Sequence, residues 1–110
     1  MKLFDNAFML RIFIGENDKY RGRPLYEQIV LKAKKLNLAG ITVTKGIMGF
    51  GADSRLHSSK ILTLSEDLPI IIEIIDKKVN IDKLIPFLDK TVGEGLITLG
   101  KIKIIKYRQS

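Results

Sequence analysis

The chain has 110 residues, 45% of them hydrophobic and 28% charged, with a formal net charge of +7 and no cysteine. That length suits one domain, residues 1–110, with one core, and the balance is that of a globular polypeptide rather than a disordered one. Without cysteine, disulfide scaffolds and thiolate metal centres are excluded. Asp5 and Arg11 interrupt any signal-peptide core near the start, and no apolar run approaches the roughly 20 residues of a membrane-spanning helix. The expectation is a cytoplasmic protein. The positive balance favours an anionic partner, whether nucleotide, nucleic acid or acidic protein; it equally serves surface stability in an Ile- and Lys-rich chain.

Taken in order, Phe8–Glu16 (FMLRIFIGE) is predicted to be a strand, because Phe8, Leu10, Ile12 and Ile14 recur at period two. ENDKYRGRP reads as a polar linker, with Pro24 suited to the first turn of the helix that follows. In that helix Leu25, Ile29, Ala33 and Leu36 share one stripe, and Gly40 is the expected terminator. ITVTKGIM is a second strand, with Thr42 and Thr44 opposite Ile41 and Val43. Leu68–Asp76 is a third. Asn80 is the expected cap of a second helix with Ile81, Leu84, Leu88 and Val92 inward, kinked or shortened by Pro86. TVGEG is a glycine turn, and LITLGKIKIIKY is a last strand that Gly100 is expected to bulge or bend.

This order, β-α-β-β-α-β, predicts an α+β, ferredoxin-like sandwich with an antiparallel sheet and both helices on one face. The other face should then be polar. Instead, Ile71 and Ile75 flank Glu73 on the third strand, and Met9 and Phe13 lie opposite the main apolar row of the first. Apolar residues on both faces predict that another subunit covers the open one.

The stretch TKGIMGFGADSRLHSSK, Thr44–Lys60, joins the second and third strands. A phosphate loop of the form G-x-x-x-x-G-K-[ST] fails, because Ala52 and Asp53 follow Gly46 and Gly51. A dinucleotide pattern fails because Ser54 stands at its third glycine. Asp53, His57, Ser58 and Ser59 have the residue types of a hydrolase triad, but neighbours on one loop do not converge as a triad must. His57 alone makes no metal site. RNA-recognition domains share the element order, yet the third strand here is aliphatic and Phe8 and Phe13 point to opposite faces, so the stacking platform is missing. An RNA-binding module and a small enzyme using the His57 loop stay as the alternative readings.

Gly40-Ile-Thr-Val-Thr44, Gly49-Phe-Gly51, Asp67-Leu-Pro69 and Thr91-Val-Gly-Glu-Gly95, in this order, resemble the PII signalling superfamily, most closely its uncharacterised PII-like branch. The resemblance implies a non-enzymatic homotrimeric regulator. It would bind an adenine nucleotide (ADP, ATP or AMP) between subunits, with no obligatory cofactor or metal. It would present a mobile loop, about residues 49–67, to a target protein, a membrane transporter being one class. Carried over, Thr42, Gly49, Phe50, Gly51, Gly93, Glu94, Gly95, Lys106 and Arg108 would line the nucleotide cleft, and Asp53, Arg55, His57 and Lys60 would serve the partner loop. Ala52 to Lys60 is expected to be mobile until ligand or partner binds. Ile70 and Leu96 replace lysines that would contact phosphate, which predicts measurable but not tight binding. A bulky residue at Gly95 is expected to hinder ligand and leave assembly intact.

Overall fold

The computed structural model describes residues 6–50 and 67–108, together with the backbone of residues 57 and 58. Its elements are β1 (Ala7–Gly15), a small hairpin of β2 (Lys19–Tyr20) and β3 (Arg23–Pro24), and α1 (Leu25–Lys35). These are followed by β4 (Ile41–Lys45), β5 (Met48–Gly49), β6 (His57–Ser58), β7 (Pro69–Lys77), α2 (Lys78–Ile81), α3 (Ile85–Thr91) and β8 (Leu96–Lys101). The four long strands form one antiparallel sheet in the order β4-β7-β1-β8. That order is the ferredoxin-like arrangement, and the fold class is α+β.

The core lies between this sheet and the helices. Leu10, Ile12 and Ile14 of β1 and Ile70, Ile72 and Ile74 of β7 meet Leu25, Ile29 and Ala33 of α1 and Ile81, Leu84 and Leu88 of the α2–α3 layer. Each such leucine or isoleucine, fully buried, contributes roughly 1.5–3 kcal/mol. Phe8, which shares their strand face, is only half-buried at the edge of the cluster.

Several local features differ from the sequence reading. Gly40 does not end α1. The chain turns at Asn37 (φ 61°), with Leu38 N–H donating to Ala33 O and Asn37 N–H to Lys34 O, a complete Schellman closure three residues earlier. Asn80 does not cap a helix either. It lies inside α2, and its Nδ2 donates to Asp76 Oδ1 at 2.9 Å. Pro86 sits near the start of α3, so the predicted second helix is two short segments. Gly100 lies in regular register opposite Met9, without a bulge. The ENDKYRGRP linker contains the β2–β3 hairpin, whose tip carries left-handed Arg21 (φ 54°) and Gly22 (φ 77°).

The registers also define the face away from the helices. One row across it reads Thr44, Ile71, Phe13 and Leu96, and the next Thr42, Glu73, Arg11 and Thr98. Arg11 Nε donates to Glu73 Oε2 at 2.8 Å in the middle of this face. Met9 and Ile75 form a third row. Edge strand β8 is exposed on both sides: Leu96 on this face, and Ile97 and Leu99 on the helix side. Among the described residues, no helix is long and apolar enough to cross a membrane.

Candidate functional site

Two cavities open at opposite ends of the sheet. The first, about 250 Å³, lies where the end of β1 meets β5, the start of β7 and the turn that leads into β8. Gly49 and Phe50 form one side and Glu94 and Gly95 the other, so two glycine motifs 44 residues apart in the sequence face a common space. Pro69 links them. Gly46 N–H donates to its carbonyl at 2.7 Å, and a Cβ on Gly46 or Gly49 would meet its ring at 2.7 or 3.2 Å.

Gly95 is fixed more tightly. Its φ is +153°, and a Cβ there would stand 2.5 Å from the carbonyl oxygen of Phe13. The turn therefore needs glycine to let β8 enter beside β1. A larger residue at Gly95, expected to hinder ligand and leave assembly intact, would first collide with this backbone. Gly93 is different. Its φ lies outside the left-handed region and a Cβ would meet nothing within 4 Å.

The floor of this cavity is acidic. Asp18 Oδ2 accepts from Gly15 N–H at 3.0 Å, and Asp67 Oδ1 accepts from Asn17 N–H at 2.8 Å. The Asp67 carboxylate packs so closely that a Cβ on Gly15 would stand 2.4 Å from it. Asp18, Asp67 and Glu94 are thus the charged lining, with no lysine or arginine beside them among the described residues. The sequence reading used Asp67 as a motif residue and missed Gly15 and Asp18. A glycine closing a strand of bulky residues, followed by ENDK, was the available signal.

The second cavity, about 280 Å³, opens between β4, β7 and the segment after β8. Thr42 and Glu73 are its polar wall, Ile75 and Ile104 its apolar one, and Lys106 and Tyr107 close it. The chain reaches this place by leaving edge strand β8 and crossing to the sheet's opposite edge. Buried Asp76 fixes the nearby backbone. Its carboxylate accepts from Ala39 N–H (2.8 Å), Lys77 N–H (2.7 Å) and Asn80 Nδ2, which holds the Ala39–Gly40 rim in place.

Of the nine residues expected in the nucleotide cleft, Gly49, Phe50, Glu94 and Gly95 thus line one cavity and Thr42 and Lys106 the other. Gly93 and Arg108 line neither. Along β7 the linings of the two sites, Pro69 and Glu73 to Ile75, are four to six residues apart, roughly 13–20 Å at strand rise. Gly51, Asp53, Arg55 and Lys60 lie outside the described residues. So does most of the loop expected to move; of His57 only the backbone is described, paired with Gly49. Ile70 is buried in the core, facing neither cavity, while Leu96 is exposed on the open face. No group of three His, Asp or Glu side chains suited to a metal ion occurs among the described residues.

Residues 7–104 match the family model DUF190, described as Uncharacterized ACR. A UPF0166 protein of Aquifex aeolicus is 35% identical over 99 residues, covering 88% of this chain and 91% of that relative. UPF0166 protein MJ1524 of Methanocaldococcus jannaschii is 35% identical over 101 residues, covering 91% and 93%. Among solved structures, CPII of Thiomonas intermedia K12, a nitrogen regulatory PII-like protein bound to ADP, AMP and bicarbonate, superposes with a TM-score of 0.64. At 17% identity the match covers 91% of this chain and 89% of CPII. The chain belongs to the DUF190 (UPF0166) family, an uncharacterised branch with the PII-like fold.

Proposed function

We propose that this protein is a non-enzymatic PII-like regulator that binds an adenine nucleotide between copies of itself. The observation that carries this reading is the division of the expected cleft into two cavities, each chemically incomplete. The Thr42 cavity has one apolar wall, a hydroxyl, a cation and the carboxylate of Glu73, which is paired to Arg11; such a mixed lining suits a flat purine with polar edges. The glycine cavity offers closely approachable backbone, but its charged lining is acidic, so it needs cations from elsewhere to hold phosphate. Lys106 and Arg108 follow the exposed strand β8. A neighbouring copy that sets its own Thr42 cavity and late cations beside this glycine cavity would complete both halves.

Assembly as a homotrimer fits the apolar rows of the open face and the uncovered β8, which a lone chain leaves in water. The loop of about residues 49–67 would then leave the edge of the nucleotide site and meet a target protein, a membrane transporter being one class. Asp53, Arg55, His57 and Lys60 are its proposed contact residues. Ligand can position such a loop only by binding its ordered state more tightly.

Titration calorimetry with ADP, ATP and AMP, each with and without bicarbonate, tests the reading. Heat with at least one nucleotide below millimolar concentration, lost in Thr42→Val and Lys106→Gln, supports it. Absence of heat and of any thermal shift at millimolar ligand overturns it.

A further inference from the structure

Five cations on the helix side of the molecule are unused by this site: Lys19, Arg21 and Arg23 of the β2–β3 hairpin, Lys32 of α1 and Lys90 of α3. Three of them gather at one aromatic pair. Tyr20 and Phe87 meet edge to face with centroids 5.8 Å apart. The Arg21 guanidinium carbon lies 5.2 Å and Lys90 Nζ 5.8 Å from the Tyr20 centroid, and Lys32 Nζ lies 5.8 Å from that of Phe87. None of the five forms an ion pair among the described residues.

The helices do not neutralise them. One turn from Lys32 stand Gln28, Ile29, Lys35 and Leu36, and one turn before Lys90 stand Pro86 and Phe87. Glu27 and Asp89, the carboxylates on these two helices, are thus displaced from the spot by sequence phase. Asp18, at the hairpin's root, already accepts from Gly15 N–H. Like charges have therefore been collected without an ion pair among the described residues, which leaves their mutual repulsion to weigh on the free protein.

The hairpin is held in place. Its tip uses two consecutive left-handed residues, its base is tied by Leu25 N–H donating to Asp18 O at 2.8 Å, and Tyr20 packs against the core. With their charged groups held over the rings, Arg21, Lys32 and Lys90 have already lost rotamer freedom that a free cation would lose on binding. The aromatic faces serve the cations, so they are not open platforms for stacked bases.

We propose that this hairpin–helix patch, whose residues line neither cavity, is a docking surface for an acidic segment of a partner protein. Fluorescence anisotropy with a short labelled Glu/Asp-rich peptide tests it. Arg21→Gln/Lys90→Gln is compared with Lys34→Gln/Lys83→Gln, which removes the same charge from exposed positions elsewhere. The patch pair should weaken peptide binding about tenfold, the control pair less than about twofold. Thermal melts of both variants confirm that they are folded. Equal weakening by the two pairs would mean unspecific attraction to a basic protein and would overturn the proposal. So would patch-dependent binding of a single-stranded oligoribonucleotide, or of phosphatidylserine vesicles, in preference to the peptide.

Discussion

Replacing Gly95 by alanine in one variant and Gly93, two residues away, in another separates the fold from the ligand site. At Gly95 the added methyl group would stand 2.5 Å from Phe13 O, more than half an ångström inside ordinary contact, and the residue would keep a φ of +153°. A sparsely populated backbone conformation costs a side-chain-bearing residue about 1–3 kcal/mol. Because the clash is with main chain, it is relieved only by moving the β8 entry away from β1. The sum is roughly 2–4 kcal/mol, a large fraction of a small domain's stability. Urea unfolding at one fixed protein concentration should show the Gly95→Ala midpoint lowered by about 1–2 M. Gly93→Ala has free space and an ordinary backbone, so it should stay within about 0.5 kcal/mol of the parent. It should nevertheless weaken ADP binding if nucleotide passes over this turn. A Gly95→Ala protein as stable as its parent would refute the packing argument. A stable Gly93→Ala protein with undiminished ADP binding would remove Gly93 from the site.

Asp76→Ala should cost about 2–4 kcal/mol, because it removes the buried acceptor of three partly buried donors; a loss under about 1 kcal/mol by urea unfolding would contradict that role. Ile71→Glu places a charge on the Phe13–Leu96 row of the open face and should shift light-scattering mass toward the monomer, whereas unchanged mass would show that this face is not the contact. Arg11→Gln should change stability by less than about 1 kcal/mol in a dilute, dissociated sample, since its ion pair with Glu73 is half exposed there; a larger loss would mean the pair is more than a surface contact.

The long strands were legible because each alternates aliphatic residues at period two, and β7 needed only three isoleucines on one side to declare its buried face. Pro86 likewise announced the break between α2 and α3. The end of α1 was misread because glycine is the commoner left-handed residue, yet Asn37 takes that conformation and its neighbours close the hydrogen bonds. The β2–β3 hairpin escaped because its strands are two residues long and cationic, with no hydrophobic alternation to find. For the site, the family motifs named Gly49 and Gly95, but only tertiary structure brings them to one cavity. Nor could the sequence divide Thr42 and Lys106 from them, since that depends on the path taken after β8 and on strand order. Asp18 and Gly15 act through backbone contacts that carry no motif.

The central position of β1 has a consequence for the growing chain on the ribosome. Its two hydrogen-bonding neighbours are β7 and β8, so the first long strand made must wait for residues 69–77 and 96–101. Until then AFMLRIFIG, an almost uncharged β-forming segment, has both edges open. Early pairing with another nascent chain competes with productive closure. Arg11, the single charge in that strand, stands where it would hinder stacking of identical copies, and in the finished sheet it finds Glu73. Slower delivery of the second half should therefore increase aggregation, and loss of the Arg11 charge should worsen it even where the folded protein is scarcely destabilised.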